Sequence, residues 1–208
     1  MAATRLLLVR HGETLWNCQR RMQGQGDSPL SERGQRQAAA IAERLTSWAP
    51  AALYCSDLGR ALATAQPIAD STGLVPRTDP RLRERSFGVF EGLTWSEIED
   101  RHGLTYDQYM QQPPDWAMPS GESQRDVFTR TCGVLQHIAT SHPGQAVVVV
   151  THGGTLAASF RLVTQLDLAV RRRFSILNAS LNVVDYDRGA WHLVTWGDVA
   201  HEASLQQG

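Results

Sequence analysis

The stretch Leu6-Leu7-Leu8-Val9-Arg10-His11-Gly12-Glu13-Thr14 decides the fold. Its first four residues are a continuous apolar run, as in a strand buried on both faces. Such strands belong to sheets covered by helices on each side. The polar residues that follow stand where α/β sheets bind ligands, outside the carboxyl ends of the strands.

The same grammar repeats downstream. Residues 51–55 read as a second short strand, followed by Ser56-Asp57-Leu58-Gly59-Arg60. Residues 146–150 read as a third buried strand, followed by Thr151-His152-Gly153-Gly154. Between them lie helical patterns. Ser31 is placed to N-cap a helix whose apolar residues Ala38, Ile41, Ala42 and Leu45 fall on one face. Ser56 or Asp57 is expected to cap a second helix carrying Ala61, Ala65, Ile68 and Ala69. Pro67 predicts a kink or early end there. Residues 75–78 predict a short strand, 122–140 a long amphipathic helix with Ser123 and Glu122 at its start, and 155–166 another helix. Residues 181–185 and 191–196 alternate around Asp187-Arg188-Gly189, which predicts a closing hairpin. The fold class is therefore α/β: three layers, α/β/α, with a mostly parallel central sheet.

Residues 80–121 break this rhythm. They hold four of the nine prolines, with Trp95, Tyr106, Tyr109, Met110, Trp116 and Met118 interleaved. We read one domain over 1–208 with a mostly helical insertion at about 80–121, placed over the site. Most of its aromatic residues are expected in a core, with Trp95, Trp116 or Met118 as candidates to roof a pocket.

Composition narrows the chemistry. The chain has 208 residues, 42% of them apolar and 20% charged, which suits a folded soluble domain rather than a disordered chain. The net charge of −1 argues against a general nucleic-acid binder. All 20 basic residues are arginine. There is then no Schiff-base, P-loop or kinase-type lysine. Codon bias explains the missing lysine, yet arginine also suits bidentate grip on phosphate. The apolar run near the N-terminus is too short for a signal-peptide core or a membrane span, so no membrane contact is expected. Cys18, Cys55 and Cys132 are few, odd in number and widely spaced, which points to a reducing, cytoplasmic compartment.

Two histidines and two arginines thus leave three strands toward one edge, beside glycines and helix N-termini suited to an anion. Arg10, His11, Arg60, His152 and nearby amides describe a phosphate pocket. His102, His137, His142, His192 and His201 carry no such pattern and read as structural. Glu13 and Asp57 show no metal-ligand spacing, so no metal and no other cofactor are expected. The run Arg171-Arg172-Arg173 reads as a solvated face.

The ordered motifs resemble the histidine phosphatase superfamily, in the branch that includes cofactor-dependent phosphoglycerate mutases. They are Leu8-Val9-Arg10-His11-Gly12-Glu13-Thr14 with Trp16-Asn17, Gly26-Asp27-Ser28-Pro29-Leu30-Ser31, Ser56-Asp57-Leu58-Gly59-Arg60-Ala61, Leu82-Arg83-Glu84-Arg85 with Gly88 and Glu91-Gly92, Gly121-Glu122-Ser123, and Thr151-His152-Gly153-Gly154. The resemblance covers roughly residues 4–197. It implies that His11 attacks phosphorus to give a phosphohistidine, and that Arg10, Arg60, Asn17 and His152 hold the phosphoryl oxygens. It also places the Gln23 side chain, the Gly24 backbone and Gly153 at the substrate. Glu84 becomes the acid for the leaving alkoxide and then the base for water. Glu13 is expected to hold neighbouring loops.

Within that resemblance, four departures favour a phosphatase over a mutase. The lysine that the mutase pattern places eleven residues after the acid glutamate is replaced by Trp95. No adjacent arginine pair lies between Arg101 and Arg125. Gly154 stands where the mutase has asparagine, and the chain is shorter than the usual mutase. The expected activity is metal-independent hydrolysis of a small phosphorylated metabolite. A phosphoglycerate mutase and a non-catalytic phospholigand-binding protein are the alternatives, and a homodimer is left open.

Overall fold

The computed structural model describes residues 3–206. Strand β1, Thr4–Arg10, lies inside a six-stranded sheet. The others are β2 (Ala52–Cys55), β3 (Pro76–Thr78), β4 (Ala146–Thr151), β5 (Leu181–Asp187) and β6 (Ala190–Asp198). Their order is β3-β2-β4-β1-β5-β6. The pairs β3–β2, β2–β4 and β4–β1 are parallel, and β1–β5 and β5–β6 are antiparallel. The sheet is mixed and mostly parallel.

Alternation along the strands splits the core in two. On one face Leu7, Val9, Leu53, Val148 and Val150 pack against α2 (Glu32–Thr46) and α3 (Gly59–Thr72). On the other, Leu6, Leu8, Val147 and Val149 pack against α5 (Gln124–Ser141) and α6 (Gly153–Thr164). The short helix α1, Leu15–Cys18, follows β1 directly. This is the three-layer α/β/α arrangement expected of near-continuous apolar strands.

Local signals explain most boundaries. Ser31 caps α2 by accepting from Gly34 N at 3.0 Å. The hairpin turns on Arg188 and Gly189, both at positive φ, the geometry whose twist matches two strands. Ser123 caps α5, but its partner is Asp126 rather than Glu122. Glu122 instead accepts from Arg130 and from Ser86 N.

Two expectations are corrected at α3: the cap, and the early end that Pro67 allowed. Neither Ser56 nor Asp57 caps it; the N-cap residue is Leu58, with no side-chain bond. Asp57 is held by Arg83 at 2.7 Å, and the first turn is satisfied from another loop, by Asp27 accepting from Arg60 N. The helix also runs through Pro67 to Thr72. Burial of Ala61, Ala65, Ile68 and Ala69 against the sheet offsets the lost hydrogen bond.

Residues 80–121 hold one long helix, α4 (Trp95–Gln111), interrupted at His102, and short 3-10 turns at Pro80–Leu82 and Gly88–Phe90. Phe90, Ile98 and Met118 form a small core of their own, with Trp116 against it. Among the described residues no helix is long and apolar enough to cross a membrane.

Candidate active site

Strand register builds the site. Arg10 pairs with Thr151 across β1 and β4, so the next residues, His11 and His152, emerge side by side. Their ring centroids are 5.1 Å apart. His11 N donates to Thr151 O at 2.9 Å, which extends the ladder one residue into the site.

The two rings are buried and held differently. His11 Nδ1 lies 2.8 Å from Gly12 O. With Nδ1 donating to that carbonyl, Nε2 carries the lone pair. Burial pushes the ring's basicity well below that of free histidine, and the Arg10 and Arg60 charges push it the same way. His152 is lowered by the same causes, burial first, and neither of its ring nitrogens has a hydrogen-bond partner among the described residues.

The arginines arrive from separate elements. Arg60, from the first turn of α3, is 1% exposed. It donates to Gly24 O at 2.6 Å, to Gly26 O at 2.7 Å and to Asp27 at 3.1 Å. Arg10 donates to Ile176 O, and burial lowers its basicity to about 10, which leaves it cationic at neutral pH. Nε of each arginine has no partner among the described residues. Buried donors left unpaired are costly, so these atoms mark a place for an anion.

Loop residues complete the wall. Gly24 takes φ +56, and a side chain there would strike the Glu91 carboxylate. Glu91 accepts from Gln25 N, Gly26 N and Phe87 N, which ties the loop carrying Gln23 and Gly24 to residues 86–91. Gln23 is buried, with Oε1 unpartnered among the described residues. Asn17 Oδ1 accepts from Thr14 N and from Asn178. Asn178 also donates to His11 O. No motif marks Asn178 in the sequence; only the fold brings it here. Glu13 accepts from Ser31 Oγ at 2.8 Å, so it ties loops together.

Glu84 faces the start of α6. Its carboxylate accepts from Gly154 N at 2.8 Å and from Arg85 N at 2.7 Å. A Cβ on Gly154 would lie 2.2 Å from Glu84 Oε1, so only glycine at 154 leaves room for this pose. The segment behind Glu84 is stitched down. Thr151 and Thr155 hydroxyls donate to Leu82 O and Arg83 O, and Arg130 donates to the carbonyls of Arg81, Arg83 and Glu84.

These residues line one cavity of about 710 Å³. Arg10, His11, Asn17, Gln23, Gly24, Arg60, Glu84 and Gly153 all border it, and His152 packs against His11 behind them. Trp95 and Tyr109 of α4 form part of its outer wall. Trp116 and Met118 lie in the insertion's own core instead. Arg171 and Arg172, read from sequence as a solvated face, are exposed but border the cavity too. Arg161 was not singled out by any motif and also lines it. Among the described residues no cluster of three or more His, Cys, Asp or Glu side chains is placed to hold a metal ion.

The family model of the histidine phosphatase superfamily (branch 1) matches residues 6–199. The chain belongs to that superfamily. Within it, the chain is 42% identical to a metal-independent phosphoserine phosphatase of Arabidopsis thaliana, over 99% of this chain and 87% of that protein. It is 37% identical to the probable phosphoglycerate mutase GpmB of Cronobacter sakazakii, over 93% of each chain. A solved mycobacterial glucosyl-3-phosphoglycerate phosphatase superposes with a TM-score of 0.82 at 37% identity, covering 93% of this chain and 98% of that one. The three-layer fold is thus the superfamily's fold.

Proposed function

We propose that this histidine phosphatase superfamily member is a metal-independent phosphomonoester hydrolase in which His11 is the nucleophile. One observation carries the assignment: His11 is buried between cationic arginines with Nδ1 held by Gly12 O, which leaves Nε2 as a neutral nucleophile. Nε2 attacks phosphorus, the P–O bond to the alcohol breaks, and Glu84 gives its proton to the departing oxygen. Water, losing a proton to Glu84, then releases phosphate from His11. Arg10, Arg60, Asn17, Gln23, the Gly24 backbone, His152 and Gly153 would hold the phosphoryl oxygens. Stabilising that spreading charge is most of what phosphoryl transfer asks of a protein.

Hydrolysis is favoured over mutase phosphotransfer by two features. Trp95, where the mutase pattern has lysine, lies on the cavity wall, and phosphatases are among the relatives. The substrate is a small phosphorylated metabolite, of the kind exemplified by phosphoserine or a phosphoglycerate derivative. Three free cysteines, with burial raising Cys55 and Cys132 to about 11, suit a reducing cytoplasm. A homodimer stays an open expectation that sedimentation would decide.

Rapid quench with labelled substrate should trap an acid-labile, base-stable phosphohistidine that peptide mapping places at His11. Label on another residue would sink the assignment. Turnover of mutase substrates without phosphate release would sink the choice of hydrolysis.

A further inference from the structure

The cavity extends well past the phosphate pocket, along α6. Gly153 stands at one end of that stretch and Arg161 at the other, eight residues on, so their backbones are about 12 Å apart. A helical arginine leans back toward the N-terminus, which brings its guanidinium to roughly 6–10 Å from the phosphoryl position.

Among the described residues, Arg161 is a buried charge without a counter-ion. It is 6% exposed, and it donates only to backbone carbonyls: Val170 O at 2.9 Å and Ala157 O at 3.4 Å. Its Nε has no partner among the described residues, nor does any of their carboxylates lie within 4 Å. A bond to Val170 O would staple the 167–170 loop, but a neutral donor would serve for that. Burying an unpaired cation is expensive. Arg172, exposed on the rim, lies near enough for its charge to act on both Arg10 and Arg161. Glu84 is the only acid among the cavity-lining residues, against seven arginines.

We propose that Arg161 and Arg172 form a second anion subsite, which selects extended phosphomonoesters carrying another negative group, such as a carboxylate, at the end remote from the phosphate. The subsite rests on the phosphatase reading only for the identity of the phosphoryl end. Three-carbon acids such as phosphoserine reach only the near part of that roughly 6–10 Å span, and longer acids reach all of it.

A series of ω-phosphonoalkanoic acids, from two to ten methylene groups, tests this without requiring turnover. Each acid is compared by calorimetry with its carboxyl methyl ester. The acid should bind about tenfold or more tightly than the ester at an intermediate length, as expected for a charge-assisted bond to a buried donor. General attraction to a positive cavity would favour acids at every length, without a maximum. Arg161→Gln and, on the exposed rim where folding is not at stake, Arg172→Gln should each flatten that maximum. Equal binding of acid and ester at all lengths overturns the subsite, as does a variant that weakens both alike or leaves the maximum intact. Nitrophenyl phosphate hydrolysis by the unaltered enzyme is measured in parallel. Its absence would remove the phosphatase reading while leaving the binding series to judge the subsite.

Discussion

Burial does at His11 what solvent would undo. Near pH 6.5 a free histidine is half protonated and half useless as a nucleophile. Buried beside Arg10 and Arg60, His11 keeps its neutral form to well below that pH. The acid limb of kcat/KM, corrected for the substrate's own ionisation near 6, should therefore fall well below pH 6.5. A midpoint at 6.5 would contradict the neutral, desolvated nucleophile. Glu84→Gln should lower kcat for an alkyl phosphate by about 10²- to 10⁴-fold with less effect on KM. With a nitrophenyl ester the first step needs less protonation, so a burst of nitrophenol should precede slow turnover. An unchanged rate on the alkyl ester would leave Glu84 a structural carboxylate. Both residues were legible in the sequence because each sits in a short motif. Arg161 and Asn178 were not. Arg161 reaches the cavity from a helix interior, and Asn178 reaches His11 O and Asn17 from a loop, where no local pattern separates a ligand from a structural residue.

At the scale of elements, the start of α6 is where helix and chemistry meet. Gly154 N holds the Glu84 carboxylate, and the space beside it admits no Cβ. Gly154→Ala should fold, yet lower kcat for alkyl phosphates by about 10²-fold, the scale of an ångström-sized misplacement. A normal kcat would show that Glu84 acts from a different pose. Helix α3 offers the opposite case. Pro67 sits inside it and is not among the residues that line the phosphate cavity. Pro67→Ala should raise stability in urea by about 1–2 kcal/mol, the restored helical bond less the gain in unfolded-chain freedom. No gain would mean that neighbouring packing depends on the ring. Most element positions could be read from apolar periodicity. The α3 cap could not, because Asp27 supplies it from 33 residues away.

For the whole molecule, acid stability follows from buried neutral histidines. His11 and His152 both have folded-state basicity lowered well below the usual value, chiefly by burial. Below about pH 6.5 the unfolded chain takes up protons at these positions while the folded chain does not, so stability falls as pH falls. The slope is about 1.4 kcal/mol per pH unit for each group that stays neutral in the fold. Asp57, Asp79 and Asp198 are shifted down instead, mainly by arginine partners, so their contribution is lost only below about pH 4. Denaturation midpoints should thus decline between pH 6.5 and 4.5, before any carboxylate gives way. A flat profile there would contradict the buried neutral rings. Chelators should leave activity unchanged at any pH, as a site built from arginine and histidine predicts; loss restored by a divalent ion would overturn metal-independence. The layered architecture was visible in the alternation of strand and helix patterns. The path of the cavity was not, since it depends on how α4, α6 and residues 168–172 come together.

The place of β1 in the sheet has a consequence for synthesis. The strand that leads into His11 is made well before both of its neighbours, β4 and β5, which follow it by more than a hundred residues in the chain. Until residues 146–187 emerge, this strand has no partner on either edge, and His11 has neither Thr151 O nor Asn178 beside it. Pairings so distant in sequence close late. The nascent protein therefore carries its nucleophile well before it can act, and meanwhile an unpaired apolar strand is left for chaperones to shield.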